Sequence, residues 1–206
     1  MTGNREITHI YDDPVNKQLC KDIKVFLDQN FKQIKMTSKV DYRSKENVNH
    51  NFFFINKDNS NSSQNSLRKQ LAITSIPRDL ILKRKGYNFT LNNFYGNLID
   101  IEFEKFMKKN LIFQDFLMIA KKVKFIIIRN IPQLDDNLKN YIHRFISLID
   151  AFYENKNILS ISTRVELDDL YCGKQHIVEL TRTISRLKEM GSNTYITKNL
   201  KNFVKK

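Results

Sequence analysis

Val123-Lys124-Phe125-Ile126-Ile127-Ile128 opens the passage that decides the fold. Its nearly unbroken β-branched run fits a strand covered on both faces. Ile131-Pro132 ends the run, and Asp135-Asp136 follows as an N-cap pair whose carboxylates suit the positive end of a helix. Leu138, Tyr141, Ile142, Phe145, Ile146, Leu148, Ile149 and Phe152 then form a wide apolar stripe at helical spacing. Ile158-Leu159-Ser160-Ile161-Ser162 supplies a second short strand. A strand, a long helix and a strand with short connections make a right-handed crossover unit, which predicts an α/β fold with a parallel sheet.

Upstream of this unit, residues 114–122 read as a helix ending in Lys121-Lys122, and Leu98, Ile99, Ile101 and Phe103 begin an alternation that turns into charged helix by 106. Residues 79–83 read as a strand, and Lys85-Gly86-Tyr87-Asn88 as a turn. Residues 66–73 form a short predicted helix. The stretch 58–65, DNSNSSQN, is a low-complexity polar loop with nothing to pack, the clearest internal linker. Asn51-Phe52-Phe53-Phe54-Ile55 reads as a buried strand, residues 17–33 as a helix and 34–36 as a short strand. Downstream, a helix spans 176–190, and a basic, frayed tail follows from 193.

Thirty-five Lys and Arg against 22 Asp and Glu give the 206 residues a formal charge of +13. Such a balance raises the question of a polyanionic partner. The lysines, however, are spread from Lys17 to Lys206 rather than gathered in a block, and a chain-wide shift toward Lys, Asn and Ile makes a protein basic without selecting a basic surface. Hydrophobic residues at 41% and aromatic residues at 11% argue against a disordered chain, and the positive charge excludes an acidic solvating protein. Cys20 and Cys172 have no zinc-type spacing and read as free thiols of a reducing compartment. The first ten residues, MTGNREITHI, carry no apolar signal core, and a soluble intracellular protein is the expectation.

Catalytic motifs are missing from these residues. None of the five glycines falls in G-x-x-x-x-G-K-[ST], the loop that cradles phosphates, and Gly173-Lys174 has no upstream glycine at the needed spacing. Arg129-Asn130 follows the central strand where a magnesium-binding strand carries acids. His9, His50, His143 and His176 are isolated, without H-E-x-x-H. No catalytic residue and no metal ligand is assigned. One pair does stand out: Arg182 and Arg186, four apart on one helical face, offer two forks of donors suited to phosphate or carboxylate. The plainer reading is a solvated face with Glu179 and Glu189 as partners; Asp135 and Asp136 read as caps and Asp150 as structural.

Several segments match one family in order. Val40-Asp41-Tyr42-Arg43 resembles its V-D-Y-R, and Ile131-Pro132-Gln133-Leu134-Asp135-Asp136 resembles V-P-x-L-D-D. Arg144-Phe145-Ile146-Ser147-Leu148-Ile149-Asp150 with Tyr153 resembles R-F-I-x-L-x-D-x-x-Y. Ile161-Ser162 with Leu167-Asp168-Asp169-Leu170-Tyr171 resembles I-S…L-x-x-L-Y, and Arg182-Thr183-Ile184-Ser185-Arg186-Leu187-Lys188-Glu189-Met190 resembles R-T-x-S-R-L-x-E-M. The chain thus resembles the ZapE-like, AFG-type AAA+ ATPases, a family with bacterial cell-division and mitochondrial branches.

The resemblance implies an α/β fold with a partial P-loop-type parallel sheet, a crossover helix and a C-terminal helical segment. It divides the chain into 1–57, a degenerate segment continuing an ATPase core absent from these residues; the polar loop 58–65; an α/β portion, 66–196; and a basic tail, 197–206. ATP and Mg are implied for the family, with none expected for this chain alone, because it lacks Walker A and Walker B. The same likeness implies an N-terminal ATPase half or ring subunits as partners, and a membrane-associated or division protein as client. It does not imply nucleic acid. The location implied is cytoplasmic or on the mitochondrial matrix side. Arg182 or Arg186 is implied as a second-sensor arginine, and Tyr42 and Arg43 as an inter-subunit or core contact. Departures from the pattern are Ile10 where T-S-N has its asparagine, Ile23 where an arginine precedes F-L-P-F, and Arg164 and Glu166 near a segment usually written A-E-V-P. An isoleucine can neither orient a water nor stabilise a γ-phosphate. A non-catalytic interaction or adaptor module, and a basic nucleic-acid-binding protein, are the alternatives.

Overall fold

The computed structural model describes residues 52–55, 60–84 and 87–204, preceded by Val25 and Gln29, both helical. The chain divides into two compact units, 1–40 and 41–206, and all that follows concerns the second. The rest of the expected 17–33 helix, the 34–36 strand, and the V-D-Y-R segment with Tyr42 and Arg43 lie outside the described residues.

The predicted crossover unit is present. β5 (Phe125–Ile131), helix α4 (Lys139–Glu154) and β6 (Ile158–Thr163) follow in sequence, with the two strands parallel at Ile126↔Leu159 and Ile128↔Ile161. All six residues of β6 and the first four of β5 are buried, as expected of strands covered on both faces. The stripe of α4 accounts for this burial: Ile142, Phe145, Leu148, Ile149 and Phe152 have no exposed surface, and the Phe145 ring meets Phe103 edge-on at 5.5 Å. An aromatic pair in that geometry adds about 1 kcal/mol to the area that it buries.

The remaining strands complete a six-stranded sheet. They are β1 (Phe53–Ile55), β2 (Arg78–Arg84), β3 (Tyr87–Phe94) and β4 (Leu98–Glu102), in the order β1-β6-β5-β4-β3-β2. β1, β6, β5 and β4 run parallel, and β3 and β2 form an antiparallel edge hairpin. The fold is therefore α/β with a mostly parallel sheet, as the sequence predicts. The path from β1 to β4 steps one way across the sheet, and β4 to β5 to β6 steps the other. Right-handed connections then put α1 (Ser60–Leu71) on one face, and α2 (Phe103–Met107), α3 (Phe113–Lys122) and α4 on the other.

Three expectations need correction. The 58–65 stretch is not a loop from Ser60 onward: it is the first half of α1. Its apolar content is low, and tertiary bonds hold it. Gln64, fully buried, reaches the Ile128 carbonyl and Ser160 Oγ, each at 3.4 Å. The turn expected over 85–88 gives way at Tyr87 to the eight-residue strand β3, whose Phe89 and Leu91 are buried. The tail is not frayed after 193: α6 (Asn193–Val204) buries Ile196 and Asn199, and Ser192 Oγ accepts the Tyr195 N–H at 3.1 Å. Among the described residues no helix is long and apolar enough to cross a membrane.

Candidate functional site

Those motif segments that fall among the described residues meet in space in two pairs, 131–136 with 167–171 and 144–153 with 182–190. α4 and α5 (Ile177–Met190) pack side by side, and Asp150 on α4 lies opposite both arginines of α5. One carboxylate oxygen accepts from Arg182 Nη2 at 3.0 Å, and the other accepts from Arg186 Nη1. The Arg186 guanidinium also covers the Tyr153 ring at 5.0 Å, and the Tyr153 hydroxyl donates to Glu189 at 2.7 Å. The partner of the arginine pair is therefore Asp150, across the helix interface, in place of the Glu179 and Glu189 side of the same helix. The two differ in access: the Arg182 side chain is 41% exposed and the Arg186 side chain 18%. Arg186 Nε is buried without an acceptor.

Asp135 caps a short 3-10 turn, Asp136–Leu138, by accepting the Asn137 N–H at 3.0 Å, as expected. Asp136 does more than cap. It accepts the Tyr171 hydroxyl and the backbone N–H groups of Lys174, at 2.9 Å, and Gln175, at 3.2 Å. First the Tyr171 hydrogen bond and then the Lys174 N–H hold the Asp136 carboxyl below its usual range. Gly173 is required in this loop, because a Cβ there would overlap the Asp136 carboxylate and lie 2.5 Å from the Tyr171 hydroxyl. The Tyr171 hydroxyl also accepts the His176 N–H at 3.0 Å, just before α5 begins. Arg144 on α4 donates to the Met107 carbonyl at 2.5 Å and to Asn110 Oδ1 at 2.9 Å, fixing the α2–α3 turn.

A second polar group escapes sequence reading. Asp100 is buried on β4, and Arg129 of β5 grips it with Nε at 2.6 Å and Nη2 at 2.7 Å. Arg68 of α1 adds Nη1 at 3.4 Å and stacks over Tyr95, whose hydroxyl it also meets at 2.9 Å. These residues are about thirty apart along the chain, so no local pattern joins them. The available signal was an acid inside the apolar run Leu98-Ile99-Asp100-Ile101, and an arginine closing Phe125-Ile126-Ile127-Ile128.

Arg129 stands where a magnesium-binding strand carries an acid, and it is committed to Asp100. Among the described residues no three His, Cys, Asp or Glu side chains are grouped so as to hold a metal ion. Arg129, a cation held on Asp100, offers no ligand to Mg at that position, and no chemical step is assigned to the described residues. Tyr42 and Arg43 fall outside the described residues. Cys172 is free and exposed, as the spacing implied; Cys20 is not described.

Residues 1–199 match the model of the AFG1-like ATPase family. The chain is similar to lactation elevated protein 1 homolog B of Danio rerio, at 25% identity over 194 residues, which are 92% of this chain and 39% of that protein. It is also similar to the cell division protein ZapE of Escherichia coli strain K12, at 30% identity over 82 residues, covering 40% of this chain and 22% of that protein. The chain thus spans about two fifths or less of the length of these relatives. No solved structure matches it.

Proposed function

The chain belongs to the AFG1-like ATPase family, and on that premise we propose that it is the C-terminal α/β and helical part of an AAA+-type ATPase. In this reading ATP hydrolysis requires a P-loop half lying outside these residues, as a partner segment or a neighbouring subunit, and the client is a division or membrane-associated protein. ATP and Mg are the family's cofactors and enter through that half. One observation supports this above all. The family's motif residues contact one another: Asp136 with Tyr171, Asp150 with Arg182 and Arg186, and Tyr153 with Arg186. A chain that has kept its motifs as mutual partners keeps the surface that they build.

In this reading Arg182 acts as the sensor. It is the more exposed of the two, and a guanidinium can exchange one carboxylate oxygen for a phosphate oxygen with similar geometry. Arg186, enclosed by Asp150 and Tyr153, serves as a positioning residue. The second reading is a non-catalytic docking module; it is favoured by the way Asp150 alone already receives both arginines.

An ATPase assay separates the two readings. The purified chain should show no turnover above buffer. Co-expression with a P-loop-bearing half from the same organism should give a complex that hydrolyses ATP. Arg182→Ala should then lower kcat with its circular dichroism spectrum unchanged. Turnover by the chain alone, or a stable complex whose turnover ignores Arg182→Ala, overturns the sensor reading; a complex without turnover favours the docking module.

A further inference from the structure

β3 is in register with β4 at a single pair, Phe94↔Ile99. Asn93, next to that pair, has φ of +61°, a left-handed conformation that turns β3 away from its neighbour. The two strands part, and a cleft of about 700 Å³ opens between residues 91–93 of β3 and 100–102 of β4, flanked by α1 from one face and by α2 from the other. That is the size of a site for a small organic ligand. Its lining is mostly polar, with one apolar spot where Leu91, Ile101 and Phe106 come together.

The charges in the cleft do not balance. Arg129 is matched by Asp100 through two hydrogen bonds, and Lys108 by Glu104 at 2.7 Å. Arg68, Lys105 and Lys109 remain against Glu102, which accepts from Asn130. The surplus is two positive charges. Arg68 uses Nη1 for both of its bonds, which leaves Nε and Nη2 free, and Lys105 has no partner among the described residues. A buried carboxylate gripped by two arginines is seldom a better stabiliser than an apolar substitute of the same volume. What Asp100 does supply is a fixed position for both guanidiniums at the cleft.

We propose that this cleft binds a small organic phosphate monoester. A monoester carries close to two negative charges at neutral pH and three acceptor oxygens, which answer the surplus and the free donors. Its organic body lies on Leu91, Ile101 and Phe106. The proposal is independent of the ATPase reading, since it places no nucleotide and uses none of the residues on α4 and α5.

Phenyl phosphate and phenyl sulfate test it, because they share a body and differ by about one charge. Titrated by calorimetry into the full chain, phenyl phosphate should bind at least about tenfold more tightly than phenyl sulfate, as loss of one charge-assisted contact implies. The double variant Lys105→Gln, Lys109→Gln should weaken phenyl phosphate by about tenfold or more, whereas Lys121→Gln, Lys122→Gln on α3 should leave it unchanged. Glu102→Gln should tighten it, a gain that misfolding cannot imitate. Equal affinity for the two esters, no heat of binding up to about 10 mM, or indifference to the Lys105, Lys109 pair overturns the proposal.

Discussion

Asp100→Ala is the perturbation whose cost the structure allows to be worked through. The Asp100 side chain is 6% exposed, and it carries the charge that balances Arg129, itself 12% exposed. Removing one partner of a buried pair costs about 3–5 kcal/mol, because the surviving charge stays desolvated without compensation. Two features pull the figure to the low end. Arg129 keeps Asn61 O at 3.3 Å and Asn65 Oδ1 at 2.9 Å, and Arg68, 27% exposed, keeps Tyr95 and water. We expect a loss of about 3 kcal/mol, equivalent to a Tm lower by about 6–12 °C for a domain of this size. The chain has no tryptophan, so urea melts followed by far-ultraviolet circular dichroism are the assay. The double variant Asp100→Leu, Arg129→Met should recover most of the loss, since an apolar pair of similar volume needs no compensation. A single-variant loss below about 1 kcal/mol, or strict additivity in the double variant, would refute the reasoning.

Other outcomes follow from the same contacts. Arg186→Ala should cost about 2 kcal/mol, through the enclosed Asp150 pair and the Tyr153 ring. Arg182→Ala, whose pair is screened by water, should cost under about 1 kcal/mol, and urea midpoints in the reverse order would contradict the assignment. Gly173→Ala should cost about 1–3 kcal/mol, because the added methyl displaces the Asp136 and Tyr171 side chains; a melt matching the parent would show that the loop has room. Asp136, held below its usual range by Tyr171 and Lys174, contributes stability that is complete above the unfolded pKa and lost as pH falls through the folded one. Stability should therefore drop as the pH falls below about 4, and Asp136→Asn should flatten that limb in acid titrations of the melt.

Elements were legible where their own residues pay the cost of ordering. β5, α4 and β6 could be read because Phe125-Ile126-Ile127-Ile128 and the stripe from Leu138 to Phe152 bury apolar surface at a clear period. α1 was not, because residues 60–66 are polar and their helix is fixed from outside, by Gln64 on the Ile128 carbonyl and Arg68 on Asp100. β3 hid behind Asn88, Asn92 and Asn93, residues common in turns, although its partner β2 supplies the ladder. α6 is hard to read because its apolar anchors, Tyr195, Ile196 and Leu200, are few and set among polar and basic residues. The arginine pair was visible from its spacing, but its acceptor was not, since Asp150 lies 32 residues before Arg182. The Asp100 cluster was invisible for the same reason: long-range pairing leaves no local period.

A sheet joined by one rung has a seam. The four parallel strands are stitched along their lengths, while the hairpin of β2 and β3 has one ladder pair to the rest, Phe94↔Ile99, and is otherwise held by buried Leu82, Phe89 and Leu91, by Lys109 on the Thr90 carbonyl and by Arg84 on Asp115. On warming, the sheet should part along that line first, with the hairpin opening before the four-stranded body. Amide exchange will draw the tear as a step in protection between Phe94 and Leu98, and an insertion at the hairpin tip will be tolerated better than one at any crossover.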